Sequence, residues 1–229
     1  MKLGIMQPYI FPYIGYFQLL KAVDTFVIYD DVNFIKQGWI NRNRILLNGR
    51  EYMFNIILKG ASSYKKINEL EVVCNNNKLI ATIEQAYHKA SYFNEVYPFL
   101  TNVLSFKETN LAKYLTNALK ATIGYLGINV SILVSSEIEK DTSLKGEDKV
   151  IDICKQLKAT AYINTPGGQE LYSRENFAEY DIILSFIKPN LVAYTQFKNK
   201  FVPWLSIIDV MMFNSPKTIS EMLTQYDIA

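Results

Sequence analysis

Histidine occurs once in the 229 residues, at His88, and cysteine twice, at Cys74 and Cys154. A single imidazole has no histidine partner for a metal, and two cysteines far apart without CxxC spacing suggest neither a disulfide framework nor a zinc site. Long hydrophobic runs are also missing. The apolar N-terminal stretch is too short to cross a bilayer, lacks a basic leader and is broken by Pro8 and Pro12. Neither a membrane span nor a signal peptide is expected, and the chain reads as cytoplasmic. Excess charge of one sign is absent too, with 24 Lys and Arg against 22 Asp and Glu. A net charge of +2 falls short of the basic footprint of a nucleic-acid binder, so no DNA partner is expected. There is no internal repeat and no low-complexity linker. Residues 1–229 therefore read as a single α/β domain, and 49% hydrophobic residues are ample for its core.

What the chain has in quantity is aromatic residues, 16 Tyr and 13 Phe. They are dense at the start, where a strand at Leu3–Met6, a helix near Tyr13–Val23 and a strand at Thr25–Tyr29 form a right-handed βαβ unit. Residues 43–58 hold two apolar runs around Leu47-Asn48-Gly49, a hairpin turn signal. The second run, Tyr52–Leu58, reads as a strand and Leu70–Cys74 as a short one. Helical periodicity between Lys78 and Leu126 gives a central helical insert, placed at residues 75–128. The last third returns to alternation, with strands at Val130–Val134, Ala161–Ile163 and Ile182–Phe186 and a helix at Lys145–Lys158. The class is α/β: an open, mostly parallel sheet with a β-hairpin excursion and the helical insert.

Four clusters could carry chemistry. Gln7, Tyr9, Tyr13, Gly15 and Tyr16 follow the first strand, and Tyr13-Ile14-Gly15-Tyr16 stands where enzymes of the HIGH-signature nucleotidyltransferase type carry His-x-Gly-His. Tyrosines donate hydrogen bonds to phosphate but supply no imidazolium charge; the bland reading is a packed aromatic helix start. Asp30, Asp31, Lys36, Trp39, Asn41 and Arg42 form the second cluster. Adjacent carboxylates cannot both face inward on a regular strand, so one is expected in the pocket, ligating Mg²⁺ or holding an amine, unless both belong to a salt-bridged loop. Residues 36–50 carry Lys36, Arg42, Arg44 and Arg50 without an acid, which suits a phosphate or simply a solvated hairpin. His88 and Lys89 form the third cluster, His88 being the one side chain whose ordinary pKa suits proton transfer near neutrality. The fourth is Asn164-Thr165-Pro166-Gly167-Gly168-Gln169 with Tyr172, where a Pro-Gly-Gly turn offers backbone N–H groups to an anion or merely reverses the chain.

Taken together, Met6-Gln7-Pro8-Tyr9, Phe11-Pro12-Tyr13-x-Gly15-Tyr16, Ala22-Val23-Asp24, Asp30-Asp31-Val32-x-Phe34, Gly38-Trp39-x-Asn41-Arg42-Asn43, Tyr87-His88-Lys89-Ala90 and Ser206-Ile207-Ile208-Asp209 resemble the WbqC-like family nearly end to end. Ser91 stands where that pattern has proline. The resemblance implies a part in bacterial surface polysaccharide (O-antigen) synthesis, by a soluble enzyme acting on a nucleotide-linked or lipid-linked sugar.

The opening strand, helix start and second strand also look like those of pantothenate synthetase and its relatives. The expectation that follows is amide formation on an amino sugar, by an acyl or aminoacyl transferase or an ATP-dependent ligase. Gln7, Tyr13, Gly15 and Tyr16 would hold a nucleotide or acyl donor, Lys36 and Arg42 the phosphates, Asp31 the amine, and His88 would move protons. ATP with Mg²⁺, or an acyl-CoA donor, would supply the activation. The alternative is a non-catalytic sugar-nucleotide-binding partner of a glycosyltransferase complex. A homodimer is the default expectation for such an enzyme.

Overall fold

The computed structural model describes residues 1–198 and 200–229. In chain order the elements are β1 (Lys2–Met6), α1 (Ile14–Ala22), β2 (Thr25–Ile28), β3 (Arg42–Leu47), β4 (Arg50–Asn55), β5 (Leu58–Lys59), β6 (Glu71–Val72), α2 (Asn77–Tyr87), α3 (Phe93–Leu104) and α4 (Leu111–Tyr125). There follow β7 (Ser131–Val134), α5 (Gly146–Gln156), β8 (Ala161–Asn164), α6 (Arg174–Ala178), β9 (Ile183–Pro189), α7 (Ile207–Phe213), α8 (Pro216–Met222) and β10 (Tyr226–Ile228). The main sheet has the order β10-β9-β8-β1-β2-β7. Its strands are parallel apart from β10, which runs antiparallel along the β9 edge.

Side chains alternate across the sheet with the two-residue period of a strand. Leu3, Ile5 and Val27 face a cluster completed by Val150 and Ile153 of α5, Phe177 of α6 and Tyr162. Phe26 and Ile28 face the other way, into a continuous core shared with α1, the helices of residues 77–125, α7 and α8. On that face Gly4 lets α1 approach: a Cβ there would meet Phe26 at 3.1 Å and Val23 at 3.5 Å. The hairpin expected around Asn48-Gly49 is present, with both residues at positive φ. The strand expected over Tyr52–Leu58 is broken, because Ile56 N–H leaves the hairpin to donate to the Asn41 carbonyl (2.8 Å) and β5 pairs with β6 instead. Among the described residues no helix is long and apolar enough to cross a membrane.

Candidate functional site

The carboxyl ends of all five parallel strands share one edge. From β1 the chain moves outward to β2 and β7, then crosses back to β8 and β9, so strand order reverses between β1 and β8. Open α/β sheets leave a crevice at such a point. A cleft of about 430 Å³ is found there. Tyr9 and Tyr13 enter it from the segment after β1, Pro166 from the turn after β8, and Lys188 and Pro189 from the end of β9. The far wall is Trp39, Asn43 and Arg44 from the hairpin side, and Trp204 from the segment before α7.

The walls are fixed by buried polar clamps. Phe11 is held at φ +42, in the left-handed region that a bulky residue avoids. Its carbonyl accepts hydrogen bonds from Asn43 Nδ2 and from the Ser206 hydroxyl, both at 2.7 Å. Ser206 N–H donates to the Arg44 carbonyl, tying the same three segments together. Behind them the Asp209 carboxylate, fully buried, accepts from Tyr87 (2.7 Å), Tyr194 (2.6 Å) and Gln196 (2.6 Å). Burial pushes the Asp209 carboxyl above its ordinary range despite the hydrogen bonds that oppose the shift. The Tyr87 hydroxyl also accepts from the Leu46 N–H of β3, so this network holds α2, α7 and the hairpin in register.

Gly15 serves the cleft through its neighbour. A Cβ there would lie 2.5 Å from the Tyr13 ring, so glycine lets that ring fold over the start of α1 and face Trp204, 6.0 Å between centroids. Burial raises the Tyr9 and Tyr13 hydroxyls above the ordinary tyrosine value, and the close hydroxyls of Tyr13 and Tyr16 add to the shift of Tyr9. Both phenols are therefore protonated donors at neutral pH. Trp39 stacks with cations, its ring centre 5.1 Å from the Arg44 guanidinium carbon and 5.8 Å from that of Arg42.

Two positive charges reach the cleft. Arg44 pairs through Nη1 with Glu51 at 2.7 Å, but its buried Nε has no acceptor among the described residues. A buried donor without a partner is costly unless a ligand or water supplies one. Lys188 is exposed and forms no ion pair among the described residues. Among the described residues neither carboxylate nor imidazole lines the walls.

Among the expected site residues, the cleft thus gathers Tyr9, Tyr13 and Trp39. Gln7 instead offers its backbone carbonyl to the Tyr16 hydroxyl (3.2 Å), and Tyr16 is wholly buried in the core. Asp30 is also buried, with Oδ1 accepting from Ser136 N–H (2.9 Å) and Oδ2 from the Ser136 hydroxyl (2.7 Å). Asp31 pairs with Lys149 (2.9 Å) and Lys140 (3.2 Å), all three side chains at most 10% exposed. Burial raises its carboxyl, but the Ser135 hydroxyl, Lys149 and Lys140 outweigh that and hold it below the ordinary range. Lys36, His88 and Lys89 are exposed outside the cleft. Arg42 donates to the Gly38 carbonyl and Asn41 to that of Ile56, so both brace their own loop. Gly168 is packed against the Asn164 side chain, Gly167 is open to solvent, and Gln169 and Tyr172 border a separate depression.

Lys188 and Trp204 were not among the expected ligand residues, whereas Arg44 belonged to the basic run of residues 36–50 that suits a phosphate. A signal for Trp204 existed: the chain has two tryptophans, and both stay more than 40% exposed. Lys188 carried no signal, since only the register of β9 brings it to the edge.

A family model described as the WbqC-like protein family matches residues 7–221. The chain belongs to that family. It is 29% identical over 218 residues to "Uncharacterized protein Rv1507c" of Mycobacterium tuberculosis (strain ATCC 25618 / H37Rv), covering 93% of each chain. No solved structure matches it significantly.

Proposed function

We propose that this member of the WbqC-like family binds a nucleotide-linked sugar in the aromatic cleft and modifies it there, in the cytoplasm, for surface polysaccharide synthesis. The observation that carries this reading is that, among the described residues, Arg44 Nε has no acceptor and Lys188 no ion pair, both in a cleft of aromatic rings at the strand-order reversal, although the Arg44 charge is shared with Glu51. Guanidinium and ammonium groups suit a diphosphate. Trp39, Trp204 and the two tyrosines suit the flat faces of a base or a sugar ring. The place of β1 inside the sheet, between β8 and β2, also supports the nucleotidyltransferase-like arrangement expected from the first loop.

The reaction proposed is transfer of a pre-activated acyl or aminoacyl group onto an amino sugar. The amine nitrogen attacks the thioester or ester carbonyl, the C–N bond forms as the thiol or alcohol leaves, and the amine proton passes to the departing group or to water. Such a donor needs no adenylation, in keeping with the missing HIGH histidines. Tyr9 and Tyr13 are placed to donate hydrogen bonds. That the described residues put tyrosines, tryptophans and two cations in the walls, and no carboxylate or imidazole, favours the second reading, a sugar-nucleotide-binding partner of a glycosyltransferase complex.

A thermal-shift panel of UDP-, GDP- and dTDP-linked sugars and amino sugars, with and without coenzyme A thioesters, tests both readings. Binding to the native state raises the melting temperature by mass action. Stabilisation by a nucleotide sugar that Arg44→Gln and Lys188→Gln each reduce supports the site; no response to any of them contradicts it. New amide product with the thioester favours the enzyme, and binding without turnover favours the partner.

A further inference from the structure

A second cleft, of about 420 Å³, lies on the other half of the same sheet edge, between the ends of β2 and β7 and the helix α4. We propose that it binds an uncharged saccharide. This inference does not depend on what occupies the first cleft.

Its walls differ in kind from those of the first. One is a stripe of α4, Lys113, Thr116, Asn117 and Lys120, whose spacing of three and four residues places them on one helix face. The lining also includes Asp30, Asn68, Glu108 and Glu137. Three carboxylates therefore meet two lysines. A phosphate or carboxylate ligand would face the three acids, and an ammonium ligand the two lysines. A neutral ligand bearing many hydroxyls matches both, because a hydroxyl donates to Glu108 or Glu137, Asp30 being held by Ser136 and Asn68, and accepts from a lysine or an amide. The single aromatic side chain in the lining, Phe106, is 40% exposed, as the apolar face of a pyranose ring requires.

The floor is already organised. Asp30 is held by Ser136 and by Asn68 Nδ2 (3.2 Å), and Asn68 is held in turn through its carbonyl by Asn110 Nδ2 (2.7 Å). Asn110 also caps α4 by accepting from Lys113 N–H (3.1 Å), so the helix face and the strand ends are positioned by one chain of hydrogen bonds. A pre-formed polar cleft with convergent donors and acceptors is what a small polar ligand selects.

The test is a titration of the ¹⁵N-labelled full chain with neutral sugars, namely glucose, galactose, mannose, N-acetylglucosamine and their disaccharides. The expected result is saturable movement of the backbone amides of residues 106–120, with the indole N–H signals of Trp39 and Trp204 unmoved. Phe106→Ala and Asn117→Ala, both at the solvent side of the cleft, are expected to keep the native spectrum and each weaken binding by about tenfold. The proposal is overturned if no neutral sugar moves these amides, if the indole signals move instead, or if both variants bind as the wild type does.

Discussion

The two halves of one sheet edge meet the same topological requirement and use it differently. At the ends of β1, β8 and β9 the side chains are left for something else: two exposed tryptophans and, among the described residues, a lysine without an ion pair and an arginine Nε without an acceptor. At the ends of β2 and β7 the carboxylates that look most catalytic in sequence are held within the chain, Asp30 by Ser136 and Asp31 through Oδ2 by two buried lysines, although the buried Asp31 Oδ1 has no hydrogen-bond partner among the described residues. Position at a strand end brings residues to a site, but only groups not consumed by their neighbours can serve a ligand. A buried carboxylate with two ammonium partners is a fastening.

The contrast breaks most visibly at Asp31. Asp31→Asn leaves Lys140 and Lys149 buried beside each other without a counter-charge, and a loss of about 3–5 kcal/mol in urea unfolding is expected. Affinity in the first cleft should stay unchanged wherever the variant is folded. The pH dependence follows from the sign of the shift. The folded pKa of Asp31 is depressed, so its stabilisation is complete above the ordinary carboxylate range and is lost as pH falls through the folded value. Asp31→Asn should lack that component of acid unfolding; an unaltered acid limb would contradict the assignment.

Gly15 tests the other half. Gly15→Ala must displace the Tyr13 ring, at a cost of about 1–3 kcal/mol. Because Tyr13 is a wall, nucleotide-sugar affinity should fall as well, by isothermal titration. A stability loss with full affinity would show that the ring plays no part in binding.

Charge comes next. Arg44→Gln and Lys188→Gln should each weaken binding about tenfold, and their effect should shrink in high salt. Stability at Lys188 should move by no more than about 0.5 kcal/mol. The smallest effect is expected at His88, which is exposed and whose ring, among the described residues, bonds only to the Gln85 carbonyl (3.3 Å). His88→Gln should leave both melting temperature and affinity at wild-type values; a loss of turnover alone would restore it to the mechanism.

The legible part of this molecule is what local pattern controls. The βαβ opening, the Asn48-Gly49 hairpin and the parallel alternation are consequences of periodicity and turn chemistry, and they suffice to predict that the loop after β1 lies at a ligand edge. Pairings across long sequence separations are not encoded that way. Nothing near Asp31 announces Lys140 and Lys149, more than a hundred residues on, and nothing near Tyr87 announces Asp209. The family-pattern residues Gly15, Asn43, Tyr87, Ser206 and Asp209 turn out to hold the cleft together, while Arg44, Lys188 and Trp204 give it character. His88 drew notice as the lone imidazole, yet its neighbour Tyr87 points inward and does the work of fastening.

Both tryptophans of the chain lie in the first cleft, so intrinsic fluorescence excited at the red edge reports on that site and little else. Titration of the wild type, Trp39→Phe and Trp204→Phe with nucleotide-linked amino sugars is the most direct test of the central claim. A saturable change in emission, present in each single variant and weakened by Arg44→Gln, is the result this account predicts. A ligand that stabilises the protein thermally yet leaves the emission of both tryptophans untouched would place the binding site elsewhere.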